Sequence, residues 1–341
     1  MYHQILLMLA DGQRHTAEQL IEQLALSAAE LEQAINTLLA IGVRLHLPVA
    51  NTYQLNDALE LLDKSRILAA LPTRTTERLA DMEILEVVDS TNRYALAQHQ
   101  RAVPFACLAE YQTAGRGRQG RQWISPYASG LCLSIKHRYA ALNGSLAGLN
   151  IALAVTVVRV LRTLGAFEVG LKWPNDVLWR GHKLAGLLLE SRLTKDCEVV
   201  IGIGMNVKMP SVDTRTIAQP WVDLYTVLGQ TISRNLLAAM LIDQCLQTLI
   251  TYPQVGLAAF RDEWHRVDLS YGQSVTLEIP TGETAAKDHY NNKENITGTA
   301  WGIDEQGALL LQVGKEKRRY VYGEVSLRLG QKNNIPTTNT P

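Results

Sequence analysis

Gly115-Arg116-Gly117-Arg118-Gln119-Gly120-Arg121 stands between an apolar, strand-like run, Ala106–Tyr111, and Trp123. Three glycines free the backbone to present N–H groups to an anion. The arginines among them add fixed positive charge and forked donors suited to carboxylate and phosphate oxygens. Glycine's freedom and the repulsion between guanidinium groups predict a loop that orders around an anionic ligand. It is not a Walker A loop, because no Gly-Lys-Ser/Thr ending follows. Taken alone, the stretch reads equally well as an exposed Arg/Gly loop or a crude RNA contact.

Four further clusters share this ambiguity. Lys172-Trp173-Pro174-Asn175-Asp176 breaks a strand end with proline and is placed to line a cleft, or is an ordinary turn. Asp89-Ser90-Thr91-Asn92 precedes a helix, and capping alone explains it. Lys183-Leu184-Ala185-Gly186 opens an apolar strand, where a lone lysine is usually an edge charge. Gly202-Ile203-Gly204-Met205-Asn206 closes another strand with two glycines, which fits close approach of a flat ligand or another backbone.

Around these clusters the pattern over 61–268 is mixed α/β. Strand-like runs fall at Ile84–Val88, Leu131–Ile135, Gly170–Trp173, Val177–Trp179, Leu184–Glu190 and Val199–Val207, with long helices at Leu146–Leu164 and Asn235–Leu249. Turns such as Arg180-Gly181 join strands directly, so the sheet contains antiparallel pairs. Residues 1–60 read as helices Tyr2–Ala10, a second begun by Thr16 and a third begun by Ser27, then a hairpin from Val43–Leu47 and Tyr53–Leu55. That is the layout of a winged helix-turn-helix, or of a small helical interaction module. Short strands at Ser274–Ile279, Ile296–Ile303, Ala308–Val313 and Arg318–Tyr322 predict a small β-barrel over 269–330. The polar stretch Thr284–Asn295 reads as a loop, and 331–341 as a disordered tail.

Lys+Arg and Asp+Glu are equal at 33 each across 341 residues, so bulk charge draws the chain to neither nucleic acid nor an anionic membrane. The four cysteines are scattered without Cys-x-x-Cys spacing, which argues against a disulfide framework and metal ligation. The N-terminus has no signal-peptide pattern, and Leu146–Leu164 is interrupted by Asn150, Arg159 and Arg162. A cytoplasmic protein is expected.

Taken together and in order, the clusters resemble the bacterial biotin–protein ligases of the bifunctional ligase/biotin-operon repressor type. The resemblance rests on Ser90–Asn92, Gln112, the Gly115–Arg121 loop, Trp123, Lys172–Asp176, Lys183–Gly186 and Gly202–Asn206. Gly307–Leu311 and Gly323–Arg328 extend it toward the C-terminus. It implies a multidomain α+β chain: a winged helix-turn-helix, a class II synthetase-like mixed sheet with helices on one side, and an SH3-like β-barrel.

The activity implied is condensation of biotin with ATP and Mg²⁺ to biotinyl-5′-AMP, then transfer to a lysine of the biotin carboxyl carrier protein of acetyl-CoA carboxylase. By the same resemblance, Ser90, Thr91, Asn92 and Gln112 hold the biotin head group. Arg116, Gly117 and Arg118 fold over the tail and phosphate, and Lys183 reaches the carboxylate; Arg118 and Lys183 are the catalytic candidates. Gly115, Arg121, Trp123, Asn175, Asp176 and Asn206 border the adenylate. A segment corresponding to Ser211–Leu224 orders over the adenine, with Trp221 a candidate wall. For Asp176 the resemblance implies a place at the ribose–phosphate region or a magnesium-linked role; no dedicated protein metal site is expected. A homodimer is implied when adenylate is bound.

The N-terminal region departs from the type. No lysine or arginine lies between Arg14 and Arg44, whereas Glu18, Glu22, Glu30 and Glu32 do. DNA affinity rests largely on cations that neutralise phosphates, so this helix pair should bind operator DNA weakly. Lipoate–protein ligase, sharing the fold, and an adenylate-sensing repressor with little ligase activity are the alternatives.

Overall fold

Thr16 and Ser27 each begin a helix with a reciprocal cap. Gln19 N–H donates to Thr16 Oγ1 while Thr16 N–H donates to Gln19 Oε1, and Ser27 and Glu30 repeat the exchange. Such boxes satisfy helix-end N–H groups that have no partner inside the helix. The computed structural model describes residues 2–46, 49–55, 58–140, 145–193, 196–209, 219–280, 293–321 and 326–329. The predicted 331–341 tail, most of the 284–295 loop and Gly323–Val325 lie outside them.

The N-terminal unit runs α1 (Tyr2–Leu9), β1 (His15–Thr16), α2 (Ala17–Leu24), α3 (Ala28–Ala40), β2 (Leu45–His46) and β3 (Thr52–Leu55). The expected hairpin is there, and β1 adds an unforeseen third strand on the other side of β3. Ile5, Leu6, Leu9, Leu20, Leu31, Leu38 and Leu55 form its core, completed by Tyr127 and Ala128 from the central region.

The central region continues through α4 (Lys64–Ala70), α5 (Thr73–Thr76), β4 (Asp81–Val88), α6 (Thr91–Ala97), β5 (Phe105–Gln112) and β6 (Gly130–Tyr139). Next come α7 (Leu149–Thr163), β7 (Val169–Lys172), β8 (Asp176–Trp179), β9 (His182–Leu193) and β10 (Cys197–Asn206). Then α8 (Leu224–Leu228), α9 (Arg234–Val255) and α10 (Ala258–Val267) follow. The seven strands form one sheet, ordered β4-β5-β6-β10-β9-β8-β7. Only β4–β5 is a parallel pair, so the sheet is mixed and not doubly wound.

Alternation along β6 shows how the sheet divides its faces. Leu131, Leu133 and Ile135 join the large core with α7 and α9, while Cys132, Ser134 and Lys136 point the other way. On that second face lies α6, so helices cover both faces rather than one. The interrupted apolar helix α7 is buried in the large core, and no helix among the described residues is long and apolar enough to cross a membrane.

The last unit is a five-stranded antiparallel sheet of β11 (Ser274–Pro280), β12 (Lys293–Ile303), β13 (Leu309–Val313), β14 (Glu316–Tyr320) and β15 (Ser326–Leu329), ordered β14-β13-β12-β11-β15. Its β12–β13 turn reaches into the central region, where the Trp173 indole N–H donates to the Gly307 carbonyl at 2.9 Å. Linker residues 58–63 are held to the sheet by a buried pair, Glu110–Arg234 at 2.8 Å, with Leu62 N–H donating to Glu110.

Candidate active site

A cavity of about 700 Å³ lies on the α6 face of the sheet, roofed by the glycine- and arginine-rich loop. Among the lining residues are Ser90, Thr91, Asn92, Gln112, Arg116, Gly117, Arg118, Arg121, Trp123, Asn175, Asp176, Lys183 and Asn206. Of the residues expected at the site only Gly115 is not in its lining. A Cβ on Gly115 would come 2.4 Å from the Trp123 carbonyl, and Trp123 N–H bonds back to the Gly115 carbonyl at 2.9 Å. Glycine there closes the base of the loop.

The α6 end is neutral and hydrogen-bonded. Thr91 N–H donates to Gln112 Oε1 at 2.8 Å, and Gln112 Nε2 lies 3.3 Å from Cys132 Sγ. Burial pushes the Cys132 thiol up to about 11, so it stays protonated at neutral pH. Ser134, unassigned in the sequence, is fully buried with Oγ 2.8 Å from Thr91 Oγ1 and 2.6 Å from Asn92 Oδ1. Asn92 is spent internally, because its Nδ2 also donates to the Leu188 carbonyl and to Glu190. A lone serine inside the apolar run Leu131–Ile135 was the available sign of Ser134.

The floor is glycine. A Cβ on Gly204 would come 2.5 Å from the Trp123 indole, and one on Gly202 would come 2.3 Å from Asn92 Oδ1. Trp123 thus lies directly on the sheet, its indole N–H without a hydrogen-bond partner among the described residues. The opposite end is cationic. Asp176, 7% exposed, receives Lys183 Nζ at 2.7 Å on Oδ1 and Lys172 Nζ at 2.9 Å on Oδ2. Burial alone would raise this carboxyl, but the two ammonium groups outweigh it and hold it down at about 2. Lys172 belongs to the quoted cluster, yet its sequence gave it no separate role. Asn175 donates to the Leu187 carbonyl at 2.6 Å, with Arg118 Nη1 3.5 Å from its Oδ1. Asn206 donates to the Val222 carbonyl, tying the end of β10 to the Trp221 segment that also lines the cavity. Residues 211–218 of the expected adenine segment lie outside the described residues.

Among the described residues the lining holds Arg116, Arg118, Arg121, Lys172 and Lys183 against one carboxylate, Asp176. From Leu188 to Lys183 the furrow follows β9 for about 17 Å at strand spacing. It therefore suits an elongated ligand with an uncharged polar head and an anionic tail.

Residues 84–206 match the Biotin/lipoate A/B protein ligase family, and residues 290–328 match the Biotin protein ligase C terminal domain. The chain is 37% identical over 324 residues to the bifunctional ligase/repressor BirA of Salmonella typhimurium, covering 94% of this chain and 95% of the relative. The chain belongs to the biotin protein ligases. Its similarity to the Escherichia coli bifunctional ligase/repressor BirA is equally broad, at 36% identity over 96% of this chain and 97% of that one. Among solved structures, the biotin protein ligase of Aquifex aeolicus in complex with biotin and ATP is 28% identical, with a TM-score of 0.62. It covers 73% of this ligase and 99% of its own chain. The lipoate alternative recedes, since the Aquifex aeolicus structure is that of a biotin protein ligase and the C-terminal match is to a biotin protein ligase domain.

Proposed function

We propose that the ligase joins biotin to ATP as biotinyl-5′-AMP and then passes the biotin to a lysine of a biotin carboxyl carrier protein. The observation that carries this reading is one furrow with a neutral hydrogen-bonding end, a glycine floor and a cationic end beneath a glycine/arginine roof. The bicyclic head of biotin fits the Ser90–Thr91–Gln112 end, and its carboxylate extends toward Lys183. There the carboxylate oxygen attacks the α-phosphorus of ATP and pyrophosphate leaves. Lys183 and Arg118 offset the charge that builds on phosphorus, while Arg116, paired with Glu190, holds the loop over biotin, and no protein nucleophile is needed. Trp123, Asn175 and Asn206 border the adenylate. The loop then keeps water from the mixed anhydride until the acceptor amine attacks the acyl carbon and AMP departs.

Mg²⁺ would accompany the triphosphate, held mainly by substrate phosphates and water, and would neutralise phosphate charge. Asp176 is the one carboxylate among the described lining residues, and both its oxygens already receive lysine ammonium groups.

The N-terminal unit is read as a winged helix, the central sheet as the catalytic unit and the last sheet as an SH3-like barrel, in a cytosolic enzyme. Because β8 pairs only with the first part of β9, the far part of β9 has a free edge. That edge suits a homodimer of the adenylate-bound form and, in competition, the carrier domain. Repression is the weaker function: the outward face of α3 carries Glu32, Gln33, Asn36 and Thr37 and no cation.

Incubating the purified ligase with biotin, ATP, Mg²⁺ and a biotin-acceptor domain should give an avidin-positive acceptor and biotin-dependent ATP–pyrophosphate exchange. Absence of both would refute the reading.

A further inference from the structure

Glu190 lies outside the cavity lining, yet it joins the roof to the wall. Strand alternation puts Gly186, Leu188 and Glu190 on the same face of β9, the face that carries the furrow. Arg116 Nη2, from the roof, lies 2.9 Å from Glu190 Oε2 and 3.1 Å from Oε1. The same Oε2 accepts from Asn92 Nδ2 at 2.8 Å, and Asn92 is itself fixed by Ser134 and by the Leu188 carbonyl. One carboxylate thus ties the loop to α6, β6 and β9 at the neutral end of the furrow. Arg118 reaches Asn175 at the other end, and Trp123 rests on Gly204 between them. The loop crosses the furrow as a strap, and Glu190 is the fixed point at its head end. Among the described residues Glu190 is the ion-pair partner of Arg116, whose backbone is otherwise bridged only within the loop, to Gln122.

We propose that Glu190 is a positioning residue that sets how long the strap stays closed, and so governs release of biotin and its adenylate more than the chemical step. The proposal rests on the ligase reading above. Its chemistry is separable from that reading: the carboxylate sits beside Asn92, whereas the reacting groups meet at Lys183 Nζ, which lies over Gly186, about 13 Å along the strand. Hydrogen bonds to charged groups are stronger than neutral ones, but both partners here are partly exposed, so the loss should be moderate.

Two variants test it. E190Q keeps an acceptor for Asn92 and removes the charge that holds Arg116; E190A removes both. Biotin release followed by stopped-flow tryptophan fluorescence should quicken about tenfold in E190Q and further in E190A. Single-turnover adenylate formation at saturating biotin and ATP should change much less than release does. Trypsin should cut the ligand-free variants after Arg116 faster than the wild type. If E190A melts early, the isosteric E190Q decides the question. Wild-type release from E190Q, or an adenylation rate that falls as far as release rises, overturns the proposal. Wild-type protein lacking biotin-dependent pyrophosphate exchange would instead strike the ligase reading.

Discussion

Lys183 Nζ sits 2.7 Å from Asp176 Oδ1, across neighbouring strands and beside a bulge that shifts the β8–β9 register between Val177 and Leu178. The bulge brings the lysine opposite Leu178 while Asp176 stands opposite Gly186, so the two side chains meet where a Cβ at 186 would lie 3.1 Å from Lys183 Cε. Asp176 thereby aims and partly neutralises the lysine before a ligand arrives. Preorganisation of this kind lets a charge act in the transition state with little rearrangement.

Lys183→Met should lower biotin-dependent ATP–pyrophosphate exchange by about 10²–10³. Far-ultraviolet circular dichroism should stay native, because Lys172 still faces Asp176. Exchange within threefold of the wild type would reduce Lys183 to an edge charge.

Asp176 should resist acid longer than an ordinary carboxylate. Its carboxyl is depressed in the folded state, from an ordinary 3.8 to about 2, so its contribution to stability is present above pH 4 and lost as pH falls toward 2. That contribution amounts to about 2 kcal/mol. Urea unfolding of the wild type and Asp176→Asn at several pH values should show their stability gap shrinking across that window. A gap independent of pH would mean the carboxylate is not held by the lysines.

Gly204→Ala should disturb the ligand's middle rather than its head. The added methyl would sit 2.5 Å from the Trp123 ring and must lift the indole off β10. The expected outcome is a rise of about tenfold or more in KM for ATP, with a smaller effect on biotin, since a misplacement of about 1 Å can cost about 10²-fold. Unchanged kinetics would show that Trp123 does not shape the adenylate end.

Glu110→Ala should destabilise the junction between linker and sheet by about 3–5 kcal/mol, because it strands the buried Arg234 charge. A thermal melt reads this directly. A loss under 1 kcal/mol would mean water reaches Arg234.

The N-terminal unit should bind duplex DNA weakly at physiological salt. Each phosphate contact contributes a salt slope of about −0.9, and the outward face of α3 offers no cation to make one. Fluorescence titration of the adenylate-bound protein against its own biotin-operon promoter, at about 150 mM salt, should show binding that fades with salt. Nanomolar, sequence-specific affinity would restore a repressor role.

All the central strands named from the sequence are present, and the helix starts at Thr16 and Ser27 are reciprocally capped as their local chemistry demands. Periodicity and capping are short-range signals, so they survive in one dimension. Glu30 counts among the acidic residues of the helix pair, but its carboxylate turns back to Ser27, which its position three residues after the cap could have shown. The β1 strand is two residues long and exists only because β3 lies beside it. Ser134 and Glu190 gain their meaning from partners about 40 to 100 residues away, a pairing no local pattern encodes. The recurring motifs marked which clusters meet, whereas hydrogen bonding showed that Asn92 and Asn206 spend their amides on the protein.

The bond from Trp173 to the Gly307 carbonyl makes the order of synthesis matter. Every lining residue of the cavity is translated by position 221, yet the support beneath the Lys172–Asp176 segment is supplied by residue 307. A chain clipped by a protease, or ended early by a nonsense codon, before that turn would own all the reactive groups and lack their footing. The Trp173 indole beneath that segment would then have no Gly307 carbonyl to donate to.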